Sequence, residues 1–220
     1  MNGIVDIKFL LVNSLTKQHI ERALEVGLTT LGIVVTGEDD IREFRRFKED
    51  RRKEVRLIKV LVSSIAPGWR KKVFNLRSKV DLTLARPNNL QQCREACKSK
   101  LVSVVEILPS KQIIFDDVCA SFLRERGGAV GISIREVFET LDGGASRAVT
   151  RSLRKEIDMA SRRGVPVVLF DLKLRHMFLD KTTIVHLGKA LFGRSEDFWL
   201  HSITTNPLFI LNRRVGVHEA

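Results

Sequence analysis

Short apolar runs with strand chemistry alternate with amphipathic helical segments along the chain. The first run spans residues 4–12, and the helical pattern that follows it begins after Thr16 and ends at Gly27. We interpret six later runs as strands, namely residues 31–36, 55–64, 80–86, 101–108, 129–134 and 165–170. Helical segments separate these runs, so that strand and helix recur with a repeat of about 25 residues.

This alternation predicts a parallel sheet with right-handed crossovers. A closed (β/α) barrel and an open doubly wound sheet both fit. Seven strands are clear and the segment LHSIT near Ser202 predicts an eighth, which for 220 residues favours a single TIM-like (β/α) barrel of seven or eight parallel strands surrounded by helices. No glycine follows the first strand in LLVNSLTKQ, which argues against a dinucleotide-binding unit.

The domain organisation predicted from the composition is simple. We expect one domain over residues 1–220, with a basic insertion-like segment at about residues 66–79 and a short tail at 215–220. Three cysteines, an odd number, without a secretory leader favour a reducing compartment. No apolar run reaches the length of a membrane span, so we expect a cytoplasmic protein without a membrane partner.

The charge balance points to a polyanionic partner. Lys and Arg number 38 against 26 Asp and Glu, which gives a net charge of +12. Nucleic acid is the leading candidate, an anionic membrane surface is the second, and a merely basic surface is the alternative. The segment from Trp69 to Lys79 holds five basic residues and no acid, and cations beside an aromatic side chain are typical of an RNA surface.

Functional residues of such a barrel lie at the C-terminal ends of its strands. His176 is the one histidine near these ends and no His-x-His pair occurs, so we expect neither a catalytic metal nor a cofactor. Cys93 and Cys97 share one helix face, and core packing explains them better than metal ligation. The carboxylates of Glu106, Asp171 and Asp180 could form an acid/base pair or salt bridges to arginines of the same loops.

Several segments resemble one family in their order and spacing. They are VDLTLARPNNLQQCREAC, VSVVEIL, AVGISIREVFET, RSLRKEIDMASRRGVPVVLF and NPLFILNRRV. From about Val5 to Arg214 the chain resembles archaeal ribonuclease P protein component 3, the counterpart of the eukaryotic p30-type subunit. The fourth strand of that family ends in an Arg-Pro pair, as here at Arg86. The segment LFDLKLRHM departs from the small residues usual after the seventh strand, and the basic middle segment also diverges.

The resemblance implies a TIM-like barrel related to the polymerase-and-histidinol-phosphatase superfamily but without its metal site, since Asp6-Ile7-Lys8 stands where a His-x-His would be. It implies a role in removing the 5′ leader from precursor tRNA, in a ribonucleoprotein endonuclease whose RNA holds the catalytic centre. The isolated protein would then not be catalytic. Its partners would be ribonuclease P RNA, precursor tRNA in the holoenzyme and other protein subunits, especially a small ferredoxin-like one.

The predicted site residues fall into two groups. Rim positions matched through the resemblance and the basic segment together give the candidates for RNA binding, which are Arg86, Lys111, Lys173, Arg175, Arg70, Lys71 and Lys72. Candidates for supporting the rim are Asp180, Glu106 and Asn88. For Arg86 a grip on phosphate and a salt bridge to Glu106 both remain open.

Two other functions remain possible on the sequence. The alternative function is a barrel phosphoesterase acting on a small phosphorylated substrate, with Glu106 or Asp171 as base and Arg86 as phosphate clamp. A basic scaffold for other proteins is a third hypothesis. The surplus of positive charge and the lack of a recognisable ligand set favour the RNA-binding subunit.

Overall fold

A computed structural model describes residues 10–12, 21, 25, 30–35, 37–42, 44, 56–142, 146–170, 173–174 and 177–215. Its strands form one parallel sheet in chain order, made of β1 (Leu10–Val12), β2 (Thr30–Val35), β3 (Arg56–Ser64), β4 (Leu82–Arg86), β5 (Val104–Glu106), β6 (Ala129–Ser133) and β7 (Val167–Phe170). An antiparallel pair follows, β8 (Lys173–Leu174) and β9 (Met177–Phe178).

Helices connect the later strands and complete the chain. They are α1 (Trp69–Arg77), α2 (Leu90–Lys98), α3 (Asp117–Arg126), α4 (Ile134–Asp142), α5 (Ser146–Arg162), α6 (Lys181–Phe192), α7 (Glu196–Ile203) and α8 (Thr205–Val215). Residues 38–42 and 44 are also helical. The predicted helix between the first two strands falls almost wholly outside the described residues, and the segment 66–79 contains α1, which connects β3 to β4.

Successive side chains along each strand point to opposite faces of the sheet. In β4, Leu82 and Leu84 lie on the inner face of the sheet, which packs against Ile210 and Leu211 of α8. Alternate residues such as Ala85 lie on the outer face, in the large core between the sheet and the helices. Both faces of the sheet are therefore covered, as parallel strands require.

Local capping residues fix where helices begin and end. The side chain of Asp116 accepts a hydrogen bond from the Cys119 N–H at the start of α3, and Gly127 ends that helix in the left-handed conformation at φ 65°. A Cβ at Gly127 would also overlap the guanidinium of Arg213 from α8. The position therefore favours glycine for its backbone angle, whereas the Arg213 side chain could move aside.

The predicted eighth strand near Ser202 is wrong, because these residues lie in α7. The Ser195 hydroxyl accepts a hydrogen bond from the Phe198 N–H, and Glu196 and Asp197 place negative charge in the first turn. Trp199 of this helix packs directly over Gly188 of α6, where a Cβ would be 2.5 Å from the indole. An N-terminal cap and a buried tryptophan thus outweigh the short apolar pattern of LHSIT.

A second correction concerns the helical segment that the alternation predicts between the fifth and sixth strands, at residues 110–128, because the helix begins only at Asp117. The N–H groups of Ile114 and Phe115 bind the carboxylate of Glu156 from α5, at 2.7 and 2.9 Å. That tertiary contact holds the segment before Asp116 out of the helix. The strand predicted over 101–108 is likewise shortened to residues 104–106.

The architecture confirms the predicted α/β fold with parallel strands surrounded by helices. Within the described residues β1 pairs with β2 and β7 with β6, and no ladder joins β1 to β7. The closure of the sheet into a barrel therefore stays a prediction. No helix in the described part of the chain has the length and apolar composition needed to span a membrane.

Candidate nucleic-acid interface

Arg86 lies at the C-terminal end of the sheet among carboxylates. It continues the inner-face row of Leu82 and Leu84 on β4, while Glu106 follows Val104 on the neighbouring strand. The Arg86 Nε donates to Glu106 Oε2 at 2.5 Å, and Nη2 donates to Glu106 Oε1 at 3.1 Å. Glu106 is completely buried, whereas the Arg86 side chain is 31% exposed. The salt bridge therefore joins a buried carboxylate to a partly exposed guanidinium.

A third residue, Glu136, joins this pair from the start of α4. The Arg86 Nη2 donates to Glu136 Oε1 at 2.6 Å, and the Glu136 N–H donates to the Ser133 hydroxyl at 3.2 Å. The three side chains thus connect β4, β5 and the turn after β6. Our sequence prediction did not include Glu136 among the site residues, although its position just after the sixth strand is the signal that would have found it.

Asparagine residues after Arg86 start the next helix. Asn89 is the N-cap of α2, and its side-chain oxygen accepts from the Gln92 N–H at 2.9 Å. The Asn88 N–H donates in return to Gln92 Oε1 at 2.8 Å. This arrangement is similar to a capping box, except that Gln92 binds the N–H of Asn88, the residue before the cap, instead of the N–H of Asn89.

Helix α1 begins at the same end of the sheet and presents a basic surface along its length. Trp69, Val73 and Leu76 are buried on its inner side, whereas Lys71 and Lys72 are exposed. Arg70 is 57% exposed and pairs with Glu95 of α2 at 3.3 Å. We define the α1 basic face as Arg70, Lys71, Lys72, Phe74 and Arg77.

The aromatic side chain predicted to stack with RNA is not available in this role. Trp69 is only 6% exposed, and its indole N–H donates to Glu95 Oε1 at 2.7 Å. Phe74 is 70% exposed instead, with Arg70 and Lys71 one turn before it and Arg77 one turn after it. The sequence prediction missed Phe74, because helical spacing from the buried Val73 was needed to place it outside.

The charges in the first turn of α1 oppose the stability of the helix itself. Cations are unfavourable at a helix N-terminus, where the backbone dipole is positive. The first turn nevertheless contains Arg70 and Lys71 with no acidic residue, and Gly68 provides no side-chain cap. Local sequence that disagrees with its own secondary structure is typical of functional surfaces.

A cleft lies between the start of α1 and the start of α2. Its volume is about 690 Å³, and its lining combines the backbone turn Pro67–Gly68 with Trp69, Arg70, Asn89 and Gln92. The cleft therefore places amide groups next to the α1 basic face, where they can donate and accept hydrogen bonds.

The remaining predicted residues do not all gather at this surface. Lys111 is exposed on the loop before α3. Asp180 caps α6, and hydrogen bonds from the hydroxyl and N–H of Thr183 lower the pKa of its carboxyl group. Lys173 is on β8 with its side chain outside the described residues, and the predictions for Asp171, Arg175 and His176 lie outside them altogether.

The carboxylates near the sheet end do not form a metal-ligand cluster in the described part of the chain. There, the one group of three or more potential ligands close enough to share an ion is Cys93, Cys97 and Cys119. Glu106, a candidate base in the phosphoesterase hypothesis, is bound to Arg86 rather than directed at a cleft.

Comparisons with known proteins show which solved structures have a similar fold. No family model and no curated protein sequence match the chain. Among solved structures it is similar to a chain in the cryo-EM structure of archaeal ribonuclease P with mature tRNA, with a TM-score of 0.77 and 16% identity over 97% of this chain and 94% of the other. The two chains share one fold.

The chain is also similar in fold to a hydrolase. The probable 2-pyrone-4,6-dicarboxylic acid hydrolase of Acinetobacter baumannii, solved with citric acid bound, gives a TM-score of 0.60 at 10% identity over 94% of this chain and 99% of its own. The ribonuclease P chain is the more similar of the two in both fold and sequence.

Proposed function

We propose that this chain is a protein subunit of ribonuclease P, the ribonucleoprotein that removes the 5′ leader from precursor tRNA. The observation that carries the proposal is the likeness of almost the whole fold to a chain of archaeal ribonuclease P, at a TM-score of 0.77. The net charge of +12 agrees with an RNA partner. In this role the chain binds and orders the catalytic RNA and is not itself the catalytic centre.

The α1 basic face is the proposed contact with RNA. Lys71, Lys72 and Arg77 neutralise phosphates, and the exposed ring of Phe74 stacks on an unpaired base. Base stacking on an aromatic ring is tolerant of sequence, and the surrounding cations hold the backbone. Lys111, Lys173 and Arg175 are proposed as further phosphate contacts.

Arg86 has a supporting role in this proposal. Two of its nitrogen atoms bind Glu106 and Glu136, so its charge is directed toward carboxylates. We assign it to fixing the ends of β4 and β5 and the start of α4. Asp180 and Asn88 support the rim in the same way, through the starts of α6 and α2.

The proposed assembly includes partners beyond the catalytic RNA. Precursor tRNA meets the chain within the holoenzyme, and other protein subunits, especially a small ferredoxin-like one, bind elsewhere on it. Closure of the parallel sheet into a TIM-like barrel is part of the same proposal. The phosphoesterase alternative has only the fold of the hydrolase in its favour, while one of its candidate bases, Glu106, is bound in the salt bridge with Arg86.

Equilibrium binding to ribonuclease P RNA at several salt concentrations tests the proposal. Because phosphate contacts release counterions, we expect affinity to fall steeply as salt rises. A flat salt dependence would contradict phosphate recognition. Turnover of a phosphoester by the isolated chain, abolished when Glu106 is replaced by Gln in a folded variant, would instead support the alternative.

A further inference from the structure

Three cysteine sulfurs meet in the core between α2 and α3. Cys93 and Cys97 lie one turn apart on α2, and Cys119 faces them from the first turn of α3. Their Sγ atoms all lie within 4.8 Å of one another, and the Cys93 and Cys97 sulfurs are 4.0 Å apart. All three side chains are fully buried, and they are the chain's complete set of cysteines.

We propose that Cys93, Cys97 and Cys119 form a binding site for a soft d¹⁰ metal ion, monovalent copper, held in a trigonal plane by three thiolates. A metal–sulfur bond of about 2.3 Å places three trigonal sulfurs about 4.0 Å apart. The observed separation of Cys93 and Cys97 equals this value. Thiolate ligands select soft ions such as Cu(I) and Zn(II) over hard ones.

The lack of a fourth ligand distinguishes copper from zinc. Structural zinc sites are almost always tetrahedral, whereas no fourth potential ligand joins the three cysteines within the described residues. The carboxylate of Asp116 lies beside Cys119 but is bound to Arg94 and to the Cys119 N–H. Full burial of the three cysteines also leaves no exposed position for a water ligand.

A buried cation compensates the charge of such a centre. Arg126 donates through Nε to the carbonyl oxygen of Cys97 at 2.6 Å and through Nη1 to that of Val102. Its Nη2 is buried without a hydrogen-bond partner among the described residues. Three thiolates and one Cu(I) carry two negative charges, which the adjacent guanidinium partly offsets.

Uptake of the ion exchanges thiol protons for metal–sulfur bonds. Cu(I) forms three metal–sulfur bonds as the cysteine thiols release their protons to solvent, and its oxidation state does not change.

Binding at this site would fasten α2 to α3 without contacting the α1 basic face. The inference is thus independent of the proposed function. A chain that supports precursor-tRNA cleavage but binds no copper would overturn the copper site alone, and a chain that binds copper without supporting cleavage would overturn the proposed function alone.

The test uses the full chain, reduced and kept free of oxygen, with Cu(I) delivered from a coloured chelator. We expect one equivalent of copper per chain, an ultraviolet thiolate-to-copper absorption band and a higher thermal unfolding midpoint. Cys93→Ala, Cys97→Ala and Cys119→Ala should each lose the band. Ala120→Gly is the matched control, because it loosens the same buried interface while keeping all three thiols.

Two further measurements keep the inference falsifiable if the cysteine variants fold poorly. Bound copper should protect all three thiols of the wild-type chain from a thiol-modifying reagent, and urea should abolish that protection. Retention of the band in a folded Cys119→Ala variant would overturn the three-thiolate site. Zinc binding at one equivalent that excludes copper would overturn the assignment of the ion, and the absence of any binding would overturn both.

Discussion

Arg86 and Glu106 are joined across neighbouring strands by two charged hydrogen bonds, at 2.5 and 3.1 Å, and Glu106 is completely buried. Removing one partner of a buried ion pair is costly, because the remaining charge loses its compensation. We expect Arg86→Met to destabilise the fold by about 3 kcal/mol, the low end of the range for such pairs because Arg86 is partly exposed. Urea unfolding measures this difference.

A double variant provides the control for this pair. Replacing both residues by apolar ones, Arg86→Met with Glu106→Leu, should recover most of the lost stability. Equal stability of wild type and Arg86→Met would contradict the structural role of the salt bridge. A loss of RNA binding in an Arg86 variant is meaningful only once its folding has been measured.

The lysines of α1 should control affinity for RNA. We expect Lys71→Glu with Lys72→Glu to weaken binding to ribonuclease P RNA and to lower the slope of log K against log salt by roughly 1.5, because two phosphate contacts are lost. Lys98→Glu with Lys100→Glu is the matched control. These exposed lysines at the end of α2 change the net charge equally but lie near the opposite ends of the strands. Equal weakening by both pairs would mean that charge alone, and not this face, determines binding.

Phe74 should contribute to binding without contributing to folding. Its ring is 70% exposed, so Phe74→Ala removes little buried surface. Loss of a stacked base should cost about 1–3 kcal/mol of binding free energy. Phe209→Ala, which truncates a phenylalanine that is 45% exposed on α8, serves as control in the same binding assay. Unchanged affinity of a folded Phe74→Ala variant would exclude stacking at this position.

Glu156 should make stability depend on pH. Burial raises its pKa from 4.5 to about 7, although hydrogen bonds from the Ile114 and Phe115 N–H groups oppose the shift. Between these values the folded chain binds more protons than the unfolded chain, so stability falls as pH rises, by about 3 kcal/mol in total. Glu156→Gln keeps an acceptor for both N–H groups and should remove this decline. Unfolding measured from pH 4.5 to pH 8 for both chains tests the difference, and superimposable profiles would contradict it.

The spacing of apolar residues predicted much of the fold. The predictions that were wrong failed because contacts between distant residues override the local pattern. Buried parallel strands are near-continuous apolar runs, so the central strands β3 and β4 were readily recognised. The segment near Ser202 also carries such a run, but Trp199 needs the pocket over Gly188 that only a helix provides. A single sequence does not show which distant residue will fill which pocket.

The candidate site was predicted less well than the fold. Arg86 was placed correctly at a strand end, and its salt bridge to Glu106 was one of two open alternatives. Cys93 and Cys97 were recognised as buried neighbours, but Cys119 joins them from another helix. Trp69 and Phe74 lie five residues apart, and only the docking of α1 against β3 and β4 decides which ring is exposed.

Reconstitution of precursor-tRNA cleavage tests the proposed function most directly. Ribonuclease P RNA and the other protein subunits are combined with or without this chain, and removal of the 5′ leader is measured. We expect cleavage to be strong with the chain, weak without it and reduced by Lys71→Glu with Lys72→Glu but not by Lys98→Glu with Lys100→Glu. Equal cleavage with and without the chain would contradict its assignment as a ribonuclease P subunit.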